Sequence, residues 1–136
     1  MKKVKNNKVL FAVFYNHFNR LTTDKFKTDE EMERYRNNLK PAIKEKLGDY
    51  IKLWDKAESI KADFLSKKID QEKAQELLNA NNSEFLKLDM ANKNKAIEIE
   101  LEDSDFNLLV ELFNRIGKEA FKSVDSYLEF KDGFNN

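Results

Sequence analysis

The densest group of residues able to do chemistry is acidic. Glu98, Glu100 and Glu102 alternate with Ile97, Ile99 and Leu101, and Asp103 and Asp105 follow. Alternation at period two puts the three glutamates on one strand face with neighbours about 6.5–7 Å apart, a spacing at which carboxylates can hold a hard cation or act as an acid/base pair. A solvated strand face running into a helix cap is the simpler reading and is preferred, because antiparallel sheets commonly leave one face to water. His17 is the sole histidine, and no His-x-x-x-His or Glu-x-x-His spacing accompanies it, so no histidine-based zinc site is expected. Cysteine is absent, as are a Gly-x-Ser-x-Gly turn and both glycine-rich phosphate loops, which leaves thiol, serine-triad and nucleotide-cradling chemistry without a motif. No catalytic, cofactor or metal residue is assigned, and the expectation is a non-enzymatic protein. A metal-dependent enzyme using the 98–105 strip is the least favoured alternative.

The elements that would position these residues are mostly helical. Thr28-Asp29-Glu30-Glu31 has the form of a capping box, and behind it Met32, Tyr35, Leu39, Ile43, Leu47, Tyr50, Trp54, Ala57, Ile60 and Phe64 recur at spacings of three and four. One long, coiled-coil-like amphipathic unit over 28–64 is predicted; straight, it would run about 55 Å. Pro41 interrupts it, with a kink or short break expected there and Asn37-Asn38 available to cap a restarted helix. Ahead of this unit, residues 2–5 form a short lysine-rich strand. Asn6 or Asn7 caps a helix through about Leu21 with Leu10, Phe11, Phe14, Phe18 and Leu21 on one side, and Thr22 to Lys27 connects.

Behind the long unit, Ser66-Lys67-Lys68 ends the helix and Asp70 caps a short one with Ala74, Leu77 and Leu78 inward. Asn79-Ala80-Asn81-Asn82-Ser83 reads as a turn, and Glu84 to Asp89 as another short helix supplying Phe85, Leu86 and Leu88. Ala96 opens the acidic strand, which pairs with 2–5 because lysines opposite glutamates make a favourable cross-strand match. Asp103-Ser104-Asp105 caps a last helix with Phe106, Leu109, Val110, Phe113, Ile116, Ala120, Phe121, Val124 and Leu128 on its stripe, bent or ended near Gly117, and 132–136 frays. The fold class is therefore mostly α (α+β), a single helical domain over 1–136 with a minor two-stranded β element.

Net charge is zero, but residues 1–68 carry 17 Lys or Arg against 10 Asp or Glu, and 69–136 carry 8 against 15. A dipolar surface of this kind can steer charged partners, although solvated helix faces are the simpler account and are preferred. Arg36, Lys40, Lys44, Lys52 and Lys56 share an outer face with Glu45, Asp49 and Asp55, a mixed field poorly suited to phosphate, so nucleic acid is not an expected partner. The apolar run from Val9 to Tyr15 is too short for a membrane span and no cleavage pattern follows, so a soluble, cytoplasmic protein is expected. Of the eleven phenylalanines most belong to apolar stripes, whereas Phe26, Phe130 and Phe134 fall in connectors or near the end, where they dock locally or anchor a partner. With Glu98, Glu100 and Glu102 they form the candidate protein interface.

The order of parts also supports a resemblance. A short lysine-rich strand, the helix Leu10-Phe11-Ala12-Val13-Phe14-Tyr15-Asn16-His17-Phe18, a long charged helix with Arg34-Tyr35-Arg36 and the late Ile97-Glu98-Ile99-Glu100-Leu101 resemble small uncharacterised proteins of tailed bacteriophages. That resemblance implies a phage or prophage origin and action in the host bacterial cytoplasm, and it supplies no active residues. The expected function is an accessory protein that binds a host or phage protein and modulates or helps assemble it. A self-assembling homo-oligomer is the alternative.

Overall fold

The computed structural model describes residues 1–20 and 23–135, with only the backbone of Thr23. Leu21, expected on the first helical stripe, and Thr22, the expected start of the connector, lie outside the described residues. Strand β1 (Lys2–Asn7) leads into helix α1 (Lys8–Arg20), a single 3-10 turn (Thr23–Lys25) and α2 (Asp29–Arg34). A π turn (Tyr35–Leu39) joins α2 to α3 (Lys40–Lys46), followed by α4 (Gly48–Leu65), α5 (Gln71–Asn92), β2 (Ala96–Leu101), α6 (Asp103–Ala120) and α7 (Val124–Asp132). The chain is mostly α with a two-stranded antiparallel sheet. It packs as two compact units, Met1–Lys46 with Asn94–Asn136 and, separately, Leu47–Lys93.

In the first unit the expected strand pairing is present, with Lys3 opposite Glu100 and Lys5 opposite Glu98. Asn7 ends β1 and caps α1: its Oδ1 accepts from the Val9 and Leu10 amides at 2.9 and 3.3 Å. Helices α1, α6 and α7 pack around an aromatic core. Phe130 is its centre, fully buried, with ring centroids of Phe11, Phe14, Phe113, Phe121 and Phe134 all 5.1–5.6 Å away. Each buried aromatic contributes about 1.5–3 kcal/mol by leaving water, and well-placed ring pairs add about 0.5–1.5 kcal/mol.

The capping box at Thr28 forms with one change. Thr28 Oγ1 accepts from the Glu31 amide at 3.1 Å, but the Glu31 carboxylate reaches back to the amide of Lys27, one residue before the cap. The interruption expected at Pro41 takes the form of the π turn just ahead of it, where the Lys40 amide bonds back to the Tyr35 carbonyl. Proline has no N–H to place in the α-helical ladder, so widening the preceding turn sacrifices little and relieves crowding by the ring. Asn37 and Asn38 lie inside that turn and cap nothing. A second break, at Leu47 with non-helical φ −107° and ψ 23°, has no proline to signal it.

The second unit is a hairpin of α4 and α5. Lys67, at φ 63°, turns the chain out of α4, and Asp70 caps α5 by accepting from the Lys73 amide at 2.8 Å. The turn expected at Asn79–Ser83 is absent, because α5 runs unbroken through it. Asn81 is buried there and donates through Nδ2 to the Leu53 carbonyl on α4 at 3.0 Å, while Gln75 donates to Asn79 and the Ser83 hydroxyl to the Asn79 carbonyl. Polar side chains that favour turns in isolation are here engaged along and between helices, and helix–helix packing outweighs their weak intrinsic preference.

The end of the chain also departs from expectation. The break in the last helical stretch comes at Phe121–Ser123, beyond Gly117, and Ser123 caps α7 by accepting from the Ser126 amide at 3.1 Å. Val124 and Leu128 are exposed, since the restart changes the phase of the stripe. Of the stretch 132–136 expected to fray, Asn136 lies outside the described residues and the rest is held: the Gly133 carbonyl accepts from the Lys5 amide and Phe134 packs on Phe106, Phe113 and Phe130.

Gly117 remains helical and serves close packing. A Cβ there would lie 2.7 Å from Phe113 Cε2 and 3.1 Å from Tyr127 Cε2, two rings stacked at 5.0 Å. Alanine gains about 1 kcal/mol of helix propensity, but overpacking a core costs about 1–3 kcal/mol, and Phe113 is too enclosed to swing away. Gly117→Ala is therefore expected to lower stability by about 1 kcal/mol net in urea unfolding. A midpoint equal to or above wild type would show that the rings yield.

Candidate protein interface

The acidic residues do not act as one group. Glu98 and Glu100 stand on the solvent face of β2, and Glu102 is the N-cap residue of α6. Asp103 lies 3.8 Å from the Met1 ammonium, and Asp105 is buried. Among the described residues no three His, Cys, Asp or Glu side chains gather as a metal would require. His17 is half-buried, and its Nε2 has no hydrogen-bond partner among the described residues.

Asp105 instead ties the π turn to the start of α6. Its Oδ1 accepts from Arg34 Nη1 at 3.3 Å and from Asn38 Nδ2 at 3.4 Å, and the same Arg34 nitrogen donates to Ser104 Oγ at 2.7 Å. A negative group in the first turn of a helix also interacts favourably with the helix dipole. Glu30, Glu33, Arg34, Asn37 and Asn38 line a shallow cleft of about 230 Å³ on the outer side of this turn.

A second charged cluster joins three elements. Arg115 on α6 meets the Glu31 carboxylate with both guanidinium nitrogens, at 3.0 and 3.1 Å, and donates to the Lys25 carbonyl at 3.1 Å and to Glu111 at 2.8 Å. The Arg115 hydrogen bonds, helped by the Lys27 amide, hold the Glu31 carboxyl below its usual range. Lys25 places its ammonium 3.9 Å from the Phe18 ring centre and donates to the Phe18 carbonyl near the end of α1. Burial, with the charge of Lys40 adding, brings its pKa down to about 8.

Of the aromatic candidates, Phe130 must be corrected: the core described above leaves it no exposed surface with which to hold a partner. Phe26 and Phe134 are half-buried and dock locally, Phe26 against Phe18 and Tyr35 at 5.7 and 5.6 Å. Their sequence positions, in a connector and near the end, conceal that both connector and tail fold back onto the core.

The hairpin carries the surface that the sequence pattern conceals. Within it Tyr50, Trp54 and Phe85 form a ring cluster with centroids 5.8–6.4 Å apart, and Tyr50 donates to Asp89 Oδ1 at 2.7 Å. Burial first, and that hydrogen bond second, push the Tyr50 phenol up, so it stays protonated. Outside, Leu86 and Met90 are 67% and 74% exposed, and Phe64 and Leu65 are 40% and 79% exposed at the end of α4. Leu86 was expected inside; the continuous α5 sets a phase that turns Phe85 and Leu88 inward and puts Leu86 and Met90 one turn apart on the outer face. Their i, i+4 spacing is the signal, readable only once Asn79–Ser83 is helical.

Two substitutions check these assignments. Phe130→Ala should cost about 3–5 kcal/mol in urea unfolding, the penalty of emptying a core aromatic site, whereas a change under about 0.5 kcal/mol would return Phe130 to the surface. Glu31→Gln should cost about 1–2 kcal/mol at pH 6.5. Because the folded carboxyl titrates below its unfolded value of about 4.3, this stabilisation is complete above that value and is lost as pH falls through the folded pKa. The gap between wild type and variant should narrow as pH falls below about 4.3; a gap unchanged from pH 6.5 to pH 3 would rule out charge as its source. No protein-family model matches the chain, and neither a curated protein nor a solved structure matches it.

Proposed function

We propose that this chain is a non-enzymatic accessory protein of phage or prophage origin that binds a host or phage protein and modulates or helps assemble it, using the α4–α5 hairpin as its contact surface. The observation that carries this reading is the pair of exposed apolar patches on the hairpin, Leu86 with Met90 and Phe64 with Leu65, which stand outside its ring cluster of buried Tyr50 and half-buried Trp54 and Phe85. Single exposed apolar residues are ordinary, but two large ones a helical turn apart make the anchor spacing by which one helix face seats in a groove. Lys61, Lys67 and Lys68 surround Phe64 and Leu65 in sequence, the polar rim that commonly encloses such anchors.

The competing use of the same strip is self-association, in which Leu86 and Met90 meet their counterparts in a second copy. Tagged wild type, Leu86→Ser/Met90→Ser and Phe64→Ser/Leu65→Ser are to be compared in nuclease-treated bacterial lysate by quantitative mass spectrometry, with light scattering on the purified proteins. The expected result is a nuclease-resistant prey with wild type that either double variant loses, with unfolding midpoints changed by less than about 0.5 kcal/mol, as for surface substitutions. Prey retained by both variants removes the hairpin from the reading. Bait alone, with a mass that doubles on concentration only in wild type, assigns the strip to self-association.

A further inference from the structure

The small sheet has two edges; the tail bonds to that of β1, and on the β2 side α3 packs against the strand without a backbone bond to it among the described residues. The Lys5 amide donates to the Gly133 carbonyl at 3.4 Å, so it points away from β2. In an antiparallel ladder a residue's N–H and C=O point the same way, and opposite residues share that orientation. Lys5 with Glu98, and by the two-residue repeat Lys3 with Glu100, are thus the pairs that exchange no ladder bonds. The N–H and C=O of Glu98 and Glu100 face the outer edge of β2, where they meet no partner among the described residues.

The same two residues present their carboxylates to solvent. Glu98 is engaged from the β1 side by Lys3 at 3.2 Å, while Glu100 has no ion pair among the described residues. On the opposite face half-buried Ile97 lies beside buried Ile99 and Leu101, on the strand against which α3 and α6 pack.

We propose that the outer edge of β2 accepts an added antiparallel strand from a basic partner, an extended segment with Lys or Arg at every second position and apolar residues between. Its cationic residues stand opposite Glu98 and Glu100 and exchange backbone bonds with them; its apolar residues extend the Ile97, Ile99 and Leu101 row. Strand β1 shows the same chemistry inside the molecule, with Lys3-Val4-Lys5 opposite Glu100-Ile99-Glu98. Pairing of two β2 edges would set glutamate against glutamate, so the charges that attract a basic strand also reject a second copy. This surface is separate from the hairpin, and its test stands apart from the capture of prey by Leu86 and Met90.

The test uses the full chain and three fluorescent eight-residue peptides: a Lys-Val repeat, the same repeat N-methylated at its lysines, and a Glu-Val repeat. Anisotropy titrations should show saturable binding of the Lys-Val repeat, at least about tenfold weaker binding after methylation, and none of the Glu-Val repeat. Glu98→Lys/Glu100→Lys should reverse the choice between Lys-Val and Glu-Val. Should charge reversal disturb β1, Glu100→Pro serves in its place: it removes only an outward N–H, as an edge position allows, and should weaken Lys-Val binding at an unchanged circular dichroism spectrum. Equal binding of methylated and unmethylated peptides reduces the effect to charge attraction and overturns the proposal. So does failure of the Lys-Val repeat to bind.

Discussion

The burial of Phe130 is the constraint on which the first unit depends. Its ring is met by side chains from α1, α6, the linker before α7 and the tail, so elements far apart in sequence share one enclosed site. The surrounding polar contacts are consistent with that packing. Asn6, buried at the end of β1, donates to the Phe130 carbonyl at 2.7 Å, and a Cβ on Gly133 would collide with that same amide at 2.2 Å. Strand, helix and tail are thereby fixed to one another at the sheet, and β2 is held through its ladder with β1.

Charge does different work in the two parts of this unit. Arg34 and Asn38 converge on Asp105, so that a widened helical turn and a helix start hold one buried carboxylate between them. A buried acid is tolerated where donors compensate it; here Asn38 comes from the π turn ahead of Pro41 and Arg34 from the end of α2. Arg115 joins Glu31, Glu111 and the Lys25 carbonyl at the other side of α6. The Arg115 site ties the capped start of α2 to α6, and the Asp105 site ties the end of α2 and the π turn to it, so the local capping signal and the distant pairing are mutually supportive.

Much of the fold was legible because its strongest signals are local. The period-two run from Ala96, the Thr28 and Asp70 caps, the Asn7 cap and the lysine–glutamate pairing each rest on residues a few positions apart, or on a simple charge match, and each is present. What was not legible depends on tertiary partners. Asn81 reads as a turn former until the Leu53 carbonyl is supplied, and Gly117 reads as a breaker until Tyr127 is seen stacked on Phe113. The candidate surface suffered the same way. Phe130 lies in a segment that resembles an end, and Leu86 acquires an outward phase only in an unbroken α5. Of the acidic strip, Glu98 and Glu100 stand on a solvated strand face as read, whereas Glu102 takes the cap position expected of Asp103–Asp105 and Asp105 is buried; the outward backbone groups of β2 are a property that no side-chain pattern records.

The discontinuity of the first unit carries a consequence for synthesis. Its two segments flank the hairpin in the chain, so Phe11, Phe14 and Phe18 leave the ribosome well before Phe113, Phe121 and Phe130, the residues that enclose them. The hairpin, whose contacts are closer in sequence, has its full complement of partners earlier, since local contacts form faster than distant ones. Until the C-terminal segment is made, the aromatic stripe of α1 has no native cover, and the nascent chain presents to the cell an adhesive surface that the finished protein conceals.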